Sequence, residues 1–267
     1  MARLRGPLKF TGSLGEFSAY TIEGSDEVFL RRKTGPTSQQ FKTAASFELP
    51  RKNASEFSGC GRAAGLVMEA FHPLRPLPLQ GTSGKLTALL KRVQVVEQED
   101  ALGRRSIRLA QAPHLWAEFA LNRGTLMDAV VRAPIASTLS RTEGRASVQV
   151  PALTTGANFF PQGGLPLYRI AVSLGVLPDL VYHEVRGGFY PSEDFGKVWP
   201  VGTTSAWLPV KTTRSEALTL ELALPALPST GHYSLILCAA IHFGTVGPMG
   251  DVVPEKKWSC AKVLRVG

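Results

Sequence analysis

His183-Glu184 stands in LPDLVYHEVRGGFYPSEDF (177–195), with Asp179, Glu193 and Asp194 close by in sequence. No other stretch gathers carboxylates, imidazole and aromatic rings so densely. Two carboxylates can hydrolyse a glycosidic bond when the fold sets them at the right separation. A calcium loop would need alternating Asp/Asn ligands before a glycine, and that pattern is absent. The plainest reading is a long, solvated, tyrosine-rich loop. GTSGKLT (81–87) resembles a phosphate loop, but the spacing rule requires a glycine where Leu79 stands, and the preceding LRPLPLQ is broken by proline. A capped helix start explains those residues better.

Other chemistries find still less. The five histidines (His72, His114, His183, His232 and His242) form no HExxH pair. His232 and His242 lie ten residues apart in one strand-like run, which suits packing or edge positions. Cys60, Cys238 and Cys260 are odd in number and widely spaced, without a CxxC pair, so neither a disulfide framework nor a zinc site is indicated. No GxSxG elbow occurs. The sequence therefore supplies no catalytic residue, no metal ligand and no cofactor site, and it leads to the expectation of a non-enzyme without a small-molecule substrate.

Charge offers a different chemistry. The net charge of +9 is unevenly spread: residues 1–108 carry 17 Lys+Arg against 10 Asp+Glu, and residues 109–267 carry 13 against 11. Arg3, Arg5, Lys9, Lys42 and Lys52, with Arg31–Lys33, could follow a phosphate backbone while Phe10, Phe17 and Tyr20 stack on bases. Glu16, Glu23, Asp26, Glu27 and Glu48 interrupt that surface, and no known nucleic-acid-binding motif is present. A subunit contact, where arginine and aromatic residues concentrate, is the competing account.

The elements that must position these groups follow from periodicity. LKFTGSL and EFSAYTI flank Gly15, and EVFLRRK follows Gly24-Ser25-Asp26, so residues 1–36 read as a β-arm. A ribbon this small is marginal alone in water. Thr37 or Ser38 can cap a short helix carrying Phe41 and Phe47. Ala54, Phe57, Gly61, Ala64, Val67 and Phe71 recur at helical spacing to about residue 72. The glycine–alanine cluster at 59–65 suggests close approach of another backbone. After HPLRPLPLQG, Leu86, Leu89, Leu90, Val93 and Val96 mark a helix capped by Thr82 or Ser83. From about residue 105 the period becomes two: LWAEFALN, RASVQV, YRIAVSL, LTLELAL, HYSLILCAAIHF and AKVLRV read as antiparallel strands. The fold class expected is α+β, with a β-arm (1–36), a helical segment (37–104) and an antiparallel β-sandwich of jelly-roll or immunoglobulin-like kind (105–267).

GPLKFTGSLGEFSAY, the FLRRKTGPTSQQFK run and Phe47, Arg51, Asn53, Glu56 and Phe57 in SFELPRKNASEFSGCGRAAG together resemble an uncharacterised family of Bacteroidota proteins over about the first 70 residues. That resemblance implies an N-terminal arm, a helical middle and a β-domain, and carries no activity with it.

These readings lead to the expectation of a self-assembling subunit of a filament, tube or shell whose arm docks on a neighbouring copy. Its contact residues would be Phe10, Phe17, Tyr20, Phe29, Arg31, Arg32 and Lys33, with Phe47, Arg51 and Phe57 anchoring the arm to the core. A nucleic-acid-associated coat protein is the alternative, and carbohydrate binding through Tyr182, Tyr190 and Trp199 is a third. No run of about 18 apolar residues could span a bilayer. The opening MARLRGPLKFTGSLGEF lacks an apolar leader core, which points to synthesis in the cytoplasm, with release as an assembly left open.

Overall fold

Gly15 lies in the left-handed region (φ +54°), where glycine is unstrained, and it turns the chain tightly enough for Leu14 to pair with Phe17. The computed structural model describes residues 2–4, 10–33, 35–117, 119–122, 124–191, 195–211 and 214–267. The chain forms two units, Met1–Arg51 and Lys52–Gly267.

In the first unit, β1 (Ala2–Leu4), β2 (Gly12–Leu14), β3 (Phe17–Thr21) and β4 (Val28–Arg32) form an antiparallel sheet in the order β1-β4-β3-β2. The expected ribbon thus gains a strand, because the extreme N-terminus returns to pair Ala2 with Leu30 and Leu4 with Val28. Strand parity puts Leu14, Phe17, Ala19, Val28 and Leu30 on one face. Tyr20, Phe29 and Arg31 lie on the other. Helix α1 (Ser38–Thr43) follows. Thr37 is its cap, accepting from the Gln40 N–H at 3.2 Å while the Gln40 side chain accepts from the Thr37 N–H at 2.9 Å.

The boundary between the units falls in the first turn of α2 (Glu48–Ala70). It therefore lies at 51/52 instead of 36/37. The second unit contains the rest of α2, α3 (Thr82–Val96), the short α4 (Met127–Val130), and strands β5 (Ala136–Ser140), β6 (Arg145–Val150), β7 (Leu167–Pro178), β8 (Val181–His183), β9 (Gly188–Tyr190), β10 (Val201–Thr204), β11 (Leu208–Pro209), β12 (Leu218–Ala223), β13 (Tyr233–Val246) and β14 (Val252–Val266). The larger sheet runs β10-β7-β13-β14, with β11 also on β7; the smaller runs β12-β6-β5; β8 and β9 make a separate hairpin. All are antiparallel.

Parity sorts this unit into three layers. Tyr168, Ile170, Val172 and Leu174 of β7, with Leu235, Leu237, Ala239 and Ile241 of β13, share a core with Ala146, Val148, Val150 and Leu222 of the smaller sheet. Ala171, Ile236, Cys238, Ala240 and Ala261 point the other way, into a core with Cys60, Ala64, Val67, Leu86, Leu90 and Val93 of the two helices. Hence β7 and β13 are buried on both faces along most of their length while β6 alternates. Residues 52–104 consequently belong to the same body as the strands, not to a separate segment.

Three local expectations differ from the structure. LWAEFALN begins in a 3-10 turn over Pro113–Leu115 with Trp116 buried, and its strand character is confined to a single antiparallel bridge of Ala120 with Lys262 of β14. Helix α3 is preceded by Gly81 in the left-handed region, and the Thr82 hydroxyl does not cap it but donates to the Leu121 carbonyl. The glycine cluster of α2 does not meet a backbone. A Cβ on Gly59 would lie 2.6 Å from the Phe189 ring, whereas Gly61 and Gly65 face open space. The close helix–sheet approach is made instead at Gly175, where a Cβ would sit 2.5 Å from that of Ala70.

Candidate functional site

Among the described residues of the first unit, only Ala19 and Val28 are buried. Leu14 is 65% exposed and Phe17 46%, and Phe10 and Ile22 are exposed as well. A sheet needs an apolar face covered to be stable. This one leaves Leu14 and Phe17 exposed on the face where Val28 is buried and Leu30 half-buried. Strand β2 lies at its edge, with all three residues exposed and no pairing on its outer side among the described residues. Such an edge is a template for another strand. In the second unit the corresponding edge is occupied. The outer side of β14 bonds to residues 119–122 through Leu121 N–H to Ala261 O (2.9 Å) and Val263 N–H to Phe119 O (3.0 Å). The Asn122 carboxamide completes that seam, accepting from the Ala261 N–H at 3.1 Å.

The expected contact residues divide into distinct roles. Tyr20 and Phe29 pair across the strands at 6.0 Å, with the Arg31 guanidinium 5.5 Å from the Tyr20 ring. Arg32 bridges Glu16 at 2.9 Å, and the Lys33 ammonium donates to the Gly15 carbonyl at 3.0 Å, so both bases tie down the β2–β3 turn. Arg51 closes the joint. Its guanidinium donates to the carbonyls of Phe41 (2.8 Å) and Ala44 (2.9 Å), satisfying acceptors left over where α1 ends, beside the Phe41–Phe47 ring pair at 5.6 Å. Phe57 is 63% exposed on α2. Of the basic residues suggested for nucleic acid, Lys42 is exposed. Lys52 packs its stem against Gly103 in the second unit. Arg5 and Lys9 lie outside the described residues, as does the side chain of Arg3.

The carboxylate-rich loop folds as the β8–β9 hairpin. Tyr182 pairs with Phe189 and Val181 with Tyr190, which places the two tyrosines on opposite faces. Arg62 covers Tyr190 at 4.2 Å and donates to the Phe189 carbonyl at 2.7 Å. Arg104 covers Tyr182 at 5.4 Å and bridges Glu184. The His183 Nδ1 accepts from the Arg186 N–H at 3.3 Å. Glu193 and Asp194 lie outside the described residues. Among the described residues no cluster of His, Cys, Asp and Glu side chains is arranged to hold a metal ion, and no helix is long and apolar enough to cross a membrane.

Glu56 and His242 are fully buried ionisable groups; the sequence reading did not single out Glu56 for burial and gave His242 a packing or edge position. Glu56 has no exposed surface; it accepts from Arg105 Nε (2.7 Å) and Nη2 (2.6 Å), the Gly103 N–H (2.9 Å) and Lys91 Nζ. Burial alone would raise its pKa, but the Arg105, Lys91 and Gly103 hydrogen bonds outweigh it and hold the carboxyl at about 2. The sequence did hold a signal: Glu56 is three and four residues from Gly59 and Cys60, on the apolar stripe. His242 pairs across strands with Arg169 and is fully buried, and neither ring nitrogen makes a hydrogen bond of good geometry, the Pro76 backbone giving only a weak one. Burial, then the Arg169 charge, pushes it down to about 4.

A groove in the second unit was also missed. It follows the C-terminal end of α2, with Gly65, Met68, Glu69, His72, Pro73, Arg75, Trp199 and Pro200 around a cavity of about 340 Å³. It continues past Phe195 and Lys197 on one side and past Gln80 and Lys256 on the other. Trp199 is 67% exposed. Gly202 packs directly on Pro73, leaving no room for a Cβ, which holds the Trp199 segment close to the helix end. No family model, curated protein or solved structure matches the chain.

Proposed function

We propose that the protein is a self-assembling structural subunit of a filament, tube or shell, tied to its neighbours by the N-terminal β-arm. In that assembly the β-domain, a sandwich of jelly-roll or immunoglobulin-like kind, is the wall and the arm is the tie. The observation that carries this reading is the state of the arm: a four-stranded sheet with Leu14 and Phe17 exposed and an outer strand that has no further pairing among the described residues. Burying such side chains is worth about 1.5–3 kcal/mol each. Strand addition along β2 would supply main-chain hydrogen bonds besides. A contact between an arm and a different surface of the next copy is head-to-tail, the kind that builds rings or filaments.

The test is size-exclusion chromatography with light scattering, followed by negative-stain imaging. The wild-type protein is expected to run well above its 28.8 kDa chain mass. The double variant Leu14→Glu, Phe17→Glu alters two exposed positions, so it should keep its circular dichroism spectrum and run as a monomer. A monodisperse wild-type monomer at tens of micromolar would remove the reading.

A further inference from the structure

We infer that the cleft between residues 75–80 and β14 binds a phosphoryl group, with Lys256 and Arg75 at its mouth and the Arg169–His242 pair at its inner end. The inference does not depend on the assembly reading. Four basic groups meet around Pro76. Arg169 and His242 stand directly opposite each other on β7 and β13, and strand parity puts both on the helix side of the sheet with Ala171 and Ala240. The Pro76 backbone reaches His242. Pro76 also lines a cleft of about 490 Å³ together with Arg75, Gln80 and Lys256.

Strand β14 is bent to bring Lys256 there. Ile241 pairs with Cys260 and Phe243 with Glu255, so Lys256–Ser259 stand opposite His242 alone. A bulge re-aims the side chains of its strand, and bulges concentrate beside functional sites. This one is closed internally: the Ser259 hydroxyl donates to the Glu255 carbonyl at 2.9 Å, and the Glu255 carboxylate accepts from the Lys257 N–H at 3.2 Å.

No carboxylate answers these cations. Among the described residues neither Arg75, Arg169 nor Lys256 makes an ion pair, and no acid lines the cleft. Glu69, on the neighbouring stretch of the groove, is bridged by Lys197 at 3.6 Å. The Arg169 Nε is buried without a partner, and burial alone lowers the pKa of its guanidinium. Trp207 covers that guanidinium at 4.7 Å. Stacking of this kind occupies the face of the group and leaves its in-plane N–H donors for an anion. The buried His242 ring, with only the weak Pro76 contact, brings another donor. A buried cation without a counter-charge is costly. Three such charges beside an imidazole suit a doubly charged phosphoryl group better than a single carboxylate.

The experiment is isothermal titration of the full-length protein at constant ionic strength, with inorganic phosphate, phenyl phosphate and acetate as probes. Phosphate is expected to saturate one site per chain, at least tenfold more tightly than acetate. Arg169→Gln, His242→Leu and Lys256→Ala should each weaken it at least fivefold. The control Arg145→Ala, on the exposed face of the smaller sheet, should not. Lys256 is exposed, so its variant decides the matter should Arg169→Gln fail to fold. Phenyl phosphate binding at least tenfold tighter than phosphate identifies a phosphorylated organic molecule as the occupant, its body on Met68, Leu77 and Leu79. Equal affinities identify free phosphate. Phosphate held no better than acetate, or held equally by wild type and Lys256→Ala, overturns the site.

Discussion

Glu56 and His242 are both buried, and each makes the fold sensitive to acid over its own range. The Glu56 pKa falls from an ordinary 4.5 to about 2 on folding. Its contribution is full above 4.5 and is lost as pH falls through 2, a change of about 3 kcal/mol. His242 goes from 6.5 to about 4. Below 6.5 the unfolded chain takes up a proton that the folded one refuses, so stability declines by about 3 kcal/mol before pH 4, where the folded ring protonates too. Urea midpoints followed against pH should therefore fall from about pH 6.5 downward in two overlapping stages. His242→Leu removes the upper stage and, by deleting two buried nitrogens without a well-formed hydrogen bond, should raise stability at pH 7 by about 1–3 kcal/mol. Glu56→Gln should remove the lower stage and cost about 3 kcal/mol at pH 7, since Arg105 and Lys91 keep their charges. An unchanged profile in either variant would refute the role given to that residue. Neither shift was legible as such in the sequence, because burial of a charge depends on which elements close over it. The position of Glu56 on an apolar stripe was legible. The arrival of Arg105 and Lys91 from other elements was not.

Helix α2 shows how much of an element periodicity can convey. The stripe through Ala64 and Val67 was readable at helical spacing, and it is the face that meets the larger sheet. The strands RASVQV, YRIAVSL, LTLELAL and HYSLILCAAIHF fall on β6, β7, β12 and β13, with Leu224 and His232 lying just outside the last two. What periodicity could not convey is what each glycine touches. Gly59 leaves no room beside Phe189, Gly175 leaves none beside Ala70, and Gly61 touches nothing. Opposite outcomes are therefore expected from one kind of substitution. Gly59→Ala and Gly175→Ala should each destabilise by about 1–3 kcal/mol through overpacking. Gly61→Ala should stabilise by about 0.5–1 kcal/mol, because it removes backbone freedom from an exposed helical position. Thermal denaturation of the three variants decides the point, and equal losses in all three would show that the glycines have a common role after all. LWAEFALN misled for a related reason. Pro113 starts a 3-10 turn that takes in Leu115, so only the far end of the stretch, around Ala120, is left to pair with β14.

At the scale of the whole molecule, both cores of the second unit are independent of the arm, since neither draws on a residue before Cys60. A chain beginning at residue 34 should accordingly keep the unfolding transition of the second unit and lose assembly. The arm itself was legible as strands around Gly15. Its fourth strand was not, because three residues at a terminus carry too little pattern to be told from a loop. The charge division that matters was also hidden by the net figure. A total of +9 suggests phosphate, yet residues 11–30 hold four acids and no base, and Arg32 and Lys33 next to them close on Glu16 and the Gly15 carbonyl. These two views of the same charge predict different responses to salt. If charged side chains of the arm steer it to a neighbouring copy, those charges are screened as the Debye length shrinks from about 10 Å at 0.1 M to about 3 Å at 1 M. Light scattering after rapid mixing should then show the association rate falling at least tenfold between 0.05 and 0.5 M NaCl. The dissociation rate, governed by Leu14 and Phe17, should change little. Nuclease treatment should leave both rates where they were. If the basic residues instead grip nucleic acid, assembly should vanish with nuclease and return with added oligonucleotide, falling steeply with log salt as condensed counterions are released. That outcome would transfer the protein's charge chemistry from its arm to a polyanion, and with it the reason the N-terminal third is basic.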